Sequence, residues 1–385
     1  MSDPGSTVHR ITCAVARNHG RAMMERLSEM GVGSVLVESG RSVRRRRYSR
    51  FFGLLGYAER LEDSPIELCQ FSVAPEASEP LVRGLAGALE MNLPGRGTIY
   101  AQECSSFVDT TVAHVAPSPE AGSRLPGLLR DLAIMTCITS MSGSGEELAR
   151  LALEFGTGVP MVTLGSGSGL RDRLGLLRIT VPAEKEVVRL LVPALDAEGL
   201  MRMLIEKGRL NRPGKGFIYC SPLLNGLLDT RTLVGPQQHA ATMEQIVAAI
   251  DELEKSTAWR RRFPELEPEA GFQLRERCAE ITLVCIEEMA SRYVQAAMQA
   301  GAEAATIAHL QRVSFGEPGG GARERCRIIV SQWQSAQVLD ALRQAHQDSP
   351  AQEERLESLE VQPVVLSYSY RTQTARLLRR HHVPD

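Results

Sequence analysis

The sequence predicts an α+β fold in which one βαββαβ unit occurs three times in tandem. Three observations carry that expectation. The run Leu-Pro-Gly-Arg-Gly-Thr-Ile-Tyr at 93–100 returns as Arg-Pro-Gly-Lys-Gly-Phe-Ile-Tyr at 212–219. Gly31, Gly156 and Gly301 each close a stretch of helical periodicity, as left-handed caps do. The registers also agree: Gly97 lies 66 residues beyond Gly31, and Gly216 lies 60 beyond Gly156. Self-similarity of this kind marks a repeated supersecondary unit. The element order within each copy is that of a ferredoxin-like split βαβ fold, with two helices on one face of an antiparallel sheet.

The first copy, in a domain expected at 1–116, opens with an alternating β-branched strand at 10–16. Met23, Leu27 and Met30 then recur at helical spacing. A strand at 32–38 follows, then a long segment at 39–64, a strand at 66–73, a helix at 76–91 and a strand at 98–102. A Pro-, Ser- and Gly-rich linker is expected at 112–127.

The second copy, expected at 128–260, begins with a strand at 132–139. Ser144 and Glu147 read as a capping box. Strands are expected at 159–164 and 174–181, joined by a short glycine-rich loop at 165–173. The stretch 184–208 reads as helical, broken near Pro193, and leads to a strand at 217–221. An inserted helix at 237–255 and a second linker at 260–271 close this part. The third copy, expected at 272–385, has strands at 280–286, 304–313, 326–330 and 361–368. Its helices are marked by Tyr293, Val294, Ala297 and Met298 and by 335–346, and it lacks the Pro-Gly-Lys-Gly turn.

Composition sets outer bounds. The chain has 385 residues, 43% hydrophobic and 23% charged, with net charge −2, so charge alone gives no support to nucleic-acid binding. No apolar run reaches the length of a membrane helix, and the N-terminal residues do not read as a secretory signal. Eight cysteines show no CxxC pair and no zinc spacing, which suits reduced thiols in a cytoplasmic protein. Cys13, Cys137 and approximately Cys285 hold comparable places in the three first strands. Core filling is their ordinary role; convergence on one axis as a thiolate metal site is the rarer alternative.

The two glycine turns are the candidate binding site. Glycines let backbone N–H groups turn toward an anion, and a flanking cation adds charge. The second turn supplies Asn211, Arg212, Gly214, Lys215 and Gly216, and the first supplies Gly95, Arg96 and Gly97. Arg44–Arg47, with Tyr48 and Arg50, form a basic tract beside Phe51, Phe52, Leu54 and Leu55. Its ordinary reading is a solvated loop. The adjoining apolar cluster makes residues 40–60 a candidate for docking a protein partner. RNA is the lesser choice, because no aromatic pair is placed to stack bases on a sheet. No Ser-His-Asp set, paired carboxylates or metal-hydrolase motif stands out, so no catalytic residue is expected.

The first two copies resemble subunits of the nitrogen regulatory protein PII (PII-like) family. The resemblance rests on the opening at Glu29-Met-Gly-Val-Gly-Ser-Val-Leu-Val and on the glycine turns that lead into Ile-Tyr strands. It covers about two thirds of the chain; the third copy matches in element order alone. It implies three units packed as a pseudo-trimer, with ATP or ADP in the clefts between units and the glycine turns (B-loops) on the phosphates. It implies also that 39–64 stands where the family has its mobile T-loop, and that Arg231 corresponds to a C-terminal basic contact. The function so implied is non-enzymatic regulation of a partner protein. The alternatives are a ligand-free interaction scaffold and an RNA-binding protein using the Arg tract.

Overall fold

Side chains alternate with period two along the first strand of every repeat and fall onto two unlike faces, both of them buried over most of the strand. The computed structural model describes residues 5–49, 57–108, 127–140, 143–169, 184–235, 243–256, 259, 272–316, 320–349, 351 and 354–370. The first set of elements is β1 Ser6–Ala16, α1 Gly20–Glu29, β2 Ser34–Ser49, β3 Tyr57–Val73, α2 Pro75–Ala88 and β4 Thr98–Ser106. The second is β5 Leu132–Thr139, α3 Ser144–Glu154, β6 Met161–Gly169, β7 Glu184–Pro193, α4 Ala197–Lys207 and β8 Gly216–Pro222. Two short strands, β9 Asn225–Leu227 and β10 Leu233–Val234, and helix α5 Met243–Glu254 come next. The last set is β11 Arg275–Ile286, α6 Ala290–Gln299, β12 Ala304–Ser314, β13 Gly321–Ser331, α7 Gln332–Gln347 and β14 Ser358–Ser369. Gly31, Gly156 and Gly301 follow α1, α3 and α6 with φ of +82°, +69° and +101°.

Each set orders its strands alike: β2-β3-β1-β4, β6-β7-β5-β8 and β12-β13-β11-β14. Outer strands then pair across sets. β14 pairs with β4 and with β8, while β2, β6 and β12 pair with one another. The result is a mixed α/β structure whose strands form one closed, barrel-like sheet, antiparallel except where β10 joins β2. Closure removes the open edges that would otherwise template aggregation.

The helix-bearing face of each set holds its own apolar core. Ile11, Cys13 and Val15 pack with Leu27, Leu81 and Leu85. Met135 and Cys137 pack with Leu148, Leu200 and Leu204, and Ile281 and Cys285 with Tyr293, Val294 and Leu342. Cys13, Cys137 and Cys285 therefore do not converge on one axis; they fill three separate cores.

The opposite face is buried too, and there ion pairs lie beside apolar clusters such as Ala14, Leu68, Ile134 and Leu191. Arg189 Nη2 lies 3.2 Å from Glu38 Oε2, and Arg325 also donates to Glu38. Arg327 Nε lies 3.3 Å from Glu280 Oε1, and Arg10 Nη1 lies 3.3 Å from Glu360 Oε2. Ser72 donates to Glu360 at 2.6 Å, and Gln362 to Glu280 at 2.6 Å. The Arg189–Glu38, Arg325–Glu38 and Arg10–Glu360 pairs each join residues from different sets. Burial opposes ionisation of Glu38, but Arg189, Arg325 and Arg327 outweigh it and hold its carboxyl well below the usual range. Arg325 is pulled down to about 9 by burial and by Arg327, with Glu38 only partly offsetting both.

Several expectations change. The third strand of the second set is β7, inside the stretch that reads as helical; residues 174–181 lie outside the described residues. Val187, Val188, Leu190, Leu191 and Val192 are all buried, and a strand covered on both faces has no period-two signature. Residues 165–169 of the loop expected at 165–173 belong to β6, and 170–173 lie outside the described residues. Ser144 is not a cap: Gly143 (φ +79°) precedes α3, with no side-chain cap bond. Glu186 of β7 instead accepts the Gly145 N–H at 2.9 Å, and Glu324 of β13 accepts the Ala290 N–H at 2.9 Å. A distant carboxylate thus meets the positive end of α3 and of α6. Apart from Gly127, the linkers expected at 112–127 and 260–271 lie outside the described residues.

Candidate functional site

The two glycine turns are built alike, residue for residue. Each begins where a helix ends with a residue at positive φ, Glu90 (+53°) in the first and Arg209 (+57°) in the second. The Met91 N–H then donates to the Ala86 carbonyl at 2.8 Å, and the Leu210 N–H to the Ile205 carbonyl at 2.9 Å. Leu93 N–H reaches Glu90 O at 2.9 Å, as Arg212 N–H reaches Arg209 O at 3.2 Å. Arg96 N–H closes on Leu93 O at 3.3 Å, and Lys215 N–H on Arg212 O at 3.4 Å.

The glycines of each turn divide the work. Gly97 (φ +143°) and Gly216 (φ +151°) press against the neighbouring strand. A Cβ on Gly97 would lie 2.3 Å from the Ala14 carbonyl, and one on Gly216 would lie 2.4 Å from the Ile138 carbonyl. These two fix the turn to the sheet. Gly95 (φ +92°) and Gly214 (φ +71°) stand at the tips.

At the first tip the anion position is filled by the protein itself. The Gly95 N–H donates to Asp229 Oδ1 at 2.8 Å, as does the Arg231 N–H at 2.9 Å. Asp229 Oδ2 accepts from Arg44 Nη2 at 2.6 Å. Strand β9 pairs with β4, and β10 with β2, so the chain leaving the second set passes over the first turn. Arg231 lies across Gly95, where a Cβ would come 2.8 Å from Arg231 Cδ. Arg96 pairs with Glu90 at 2.7 Å. Beside this turn is a pocket of about 450 Å³, counting its open space, lined by Met91, Pro94, Leu129, Leu227, Thr230 and Asp251.

The second tip differs in what surrounds it. A Cβ on Gly214 would meet nothing within 4 Å, and among the described residues the Gly214 N–H has no acceptor. Asn211, Arg212 and Gly214 are exposed, and Lys215 and Gly216 half-buried. Basic residues stand here at two places where the first turn has an acidic or an apolar one, Arg209 for Glu90 and Arg212 for Leu93, while Lys215 and Arg96 are both cations. Asn211, Arg212, Gly214, Lys215 and Gly216 are thus brought together on one turn, and Gly95, Arg96, Gly97 and Arg231 on another.

The basic tract is not a loop. Arg44–Arg47 lie in β2, which pairs with β3 from Leu36↔Gln70 out to Ser49↔Tyr57. Beside the Arg44–Asp229 pair, Arg46 meets Glu62 at 2.7 Å, and Arg47 meets Glu59 at 2.8 Å. Arg60 donates to the Tyr48 hydroxyl at 2.6 Å and stacks over its ring. Acidic residues on β3 answer the arginines at cross-strand positions, a pairing that a reading of 39–64 as one loop cannot show. Arg50, Phe51, Phe52, Leu54 and Leu55 lie outside the described residues.

All eight cysteines are free and buried. Burial pushes the thiols of Cys104, Cys220 and Cys285 up to about 12, and those of Cys13, Cys69, Cys137 and Cys326 well above the usual value. The native protein is therefore expected to resist a thiol reagent at pH 8 and to react at all eight sites once denatured. Rapid labelling of native protein would contradict this. Among the described residues, no His, Cys, Asp and Glu side chains gather as metal ligands would. No helix among them is long and apolar enough to cross a membrane.

No protein-family model matches the chain, and no curated protein matches it. Among solved structures, a GlnK–ATP complex from B. subtilis is 13% identical, with 27% of this chain and 89% of that one covered and a TM-score of 0.22. Aspartate kinase from Synechocystis is 11% identical, with 90% of this chain but 42% of that one covered and a TM-score of 0.21. A mutant chlorite dismutase from Candidatus Nitrospira defluvii is 10% identical, with 67% of this chain and 99% of that one covered and a TM-score of 0.15. Likenesses this low carry no argument about function.

Proposed function

We propose that the chain is a non-enzymatic, cytoplasmic regulator of the PII-like kind. Three ferredoxin-like units close into a pseudo-trimer, an adenine nucleotide (ATP or ADP) binds at the second glycine turn, and the bound state is passed to a protein partner through the β2–β3 hairpin. One observation carries the reading. The first turn holds a carboxylate oxygen on its Gly95 N–H at 2.8 Å, so this backbone conformation is suited to an anion. The second turn repeats that conformation with more basic residues around an open tip. A phosphate group suits a glycine turn flanked by cations. Signalling would follow from a shift in the populations of hairpin conformers on binding.

Calorimetric titration with ATP and ADP tests this. Lys215→Ala is expected to weaken binding by about tenfold or more, the effect of losing roughly 1.5–3 kcal/mol in a charge-assisted hydrogen bond. Its folding stability should hardly change. No binding to the wild type, or equal binding to Lys215→Ala, would overturn the nucleotide reading and favour the ligand-free scaffold.

A further inference from the structure

We infer that Asp229 is a built-in substitute for a ligand phosphate at the first turn, so that the chain takes up an external phosphoryl group at the second turn alone. The ligand class rests on the function proposed above; the self-occupied turn rests on geometry. Asp229 is 4% exposed, and both of its oxygens are engaged. Its donors are a glycine-turn N–H (Gly95), a second backbone N–H (Arg231) and a guanidinium (Arg44). A bound phosphate oxygen would call for donors of this kind. The placement is fixed by the backbone on both sides. The Asp229 N–H donates to Thr98 Oγ1 at 3.0 Å, and its carbonyl accepts from the Val159 N–H at 2.8 Å. Arg231 lies across the tip glycine and narrows the approach further.

Two consequences follow. The turns have diverged in charge as their occupancy requires: the self-filled turn keeps Glu90 and Leu93 where the open one has Arg209 and Arg212. In addition, Arg44 belongs to β2, so the internal anion fastens the base of the β2–β3 hairpin to the first turn. A partner touching that hairpin would meet it already braced on one side, whatever the nucleotide concentration.

The test uses pyrophosphate on the full chain with the second turn disabled by Arg212→Ala and Lys215→Ala. In that background, Asp229→Ala is expected to gain pyrophosphate binding and to rise in unfolding midpoint by about 5 °C at a hundredfold excess over Kd. The background without Asp229→Ala should show neither effect. If Asp229→Ala leaves the chain unable to fold, recovery of folded protein on refolding with pyrophosphate supports the inference equally. A folded variant that ignores pyrophosphate, or a misfolded one that pyrophosphate does not rescue, overturns it. Wild-type titration with ATP reads the proposed function separately. Rescue of the variant without nucleotide binding to the wild type would leave Asp229 as an anion substitute and remove the nucleotide reading.

Discussion

Glu38→Gln is expected to cost about 3–5 kcal/mol of folding stability, the range for removing one partner of a buried ion pair. The side chain is 5% exposed and accepts from both Arg189 and Arg325. Without its charge, Arg189 and Arg325 remain buried beside Arg327, whose own partner is Glu280. The loss is large against a typical total of roughly 5–15 kcal/mol. Urea titration should show a lower midpoint with little change in slope, and a loss under about 1 kcal/mol would show that this network adds little. Arg325→Met should cost less. Four guanidinium groups (Arg10, Arg189, Arg325, Arg327) face three carboxylates (Glu38, Glu280, Glu360) here, so removing one cation relieves repulsion that removing Glu38 worsens.

The same network sets a pH dependence. The folded carboxyl of Glu38 is depressed below its unfolded value of about 4.3, so its contribution is complete above that pH. It is lost as pH falls through the lower, folded value. Wild-type stability should therefore decline below about pH 4–5, and Glu38→Gln should decline less steeply over that window. Parallel curves would assign the acid sensitivity to other carboxylates.

What the sequence made legible, and what it hid, follows from the range of the forces involved. Helix ends at Gly31, Gly156 and Gly301 are local events, and their positive φ was readable from a glycine closing a periodic run. The strands before and after them were readable for the same reason. Strand β7 was not, because burial on both faces erases the alternation that marks a half-exposed strand. The ionic interior was hidden more deeply. Arg10, Glu280, Arg325 and Arg327 alternate with apolar residues, the pattern of a sheet with one wet face, and only closure of the ring turns that face inward. Glu186 and Glu324 sit at one register position in their third strands, opposite Thr139 and Cys285, where aligning the copies would have exposed them. Asp229 had no such signal. It lies in a segment that the first copy does not share, and its role depends on which turn that segment crosses.

The glycines of the second turn should separate stability from binding more sharply than any charge does. Gly216→Ala is expected to cost about 3 kcal/mol or more, because two penalties meet at one atom. Its φ of +151° lies where side chains strain the backbone, and the new Cβ would stand 2.4 Å from the Ile138 carbonyl. That carbonyl belongs to β5, which pairs with β8 from Ala133↔Pro222 to Thr139↔Gly216, so relief requires the strands to part at the end of their ladder. Gly97→Ala should match it, with its Cβ 2.3 Å from the Ala14 carbonyl on β1. Gly214→Ala should cost only about 1 kcal/mol, the price of a left-handed residue, since φ is +71° and nothing lies within 4 Å of the new atom. Urea titration of the three variants measures the ranking. Equal losses at Gly214 and Gly216 would mean that the turn yields as a whole rather than being held at its strand end. In that case the open tip would not be a preformed anion cradle, since a turn that yields as a whole cannot hold the Gly214 N–H in place for a phosphate.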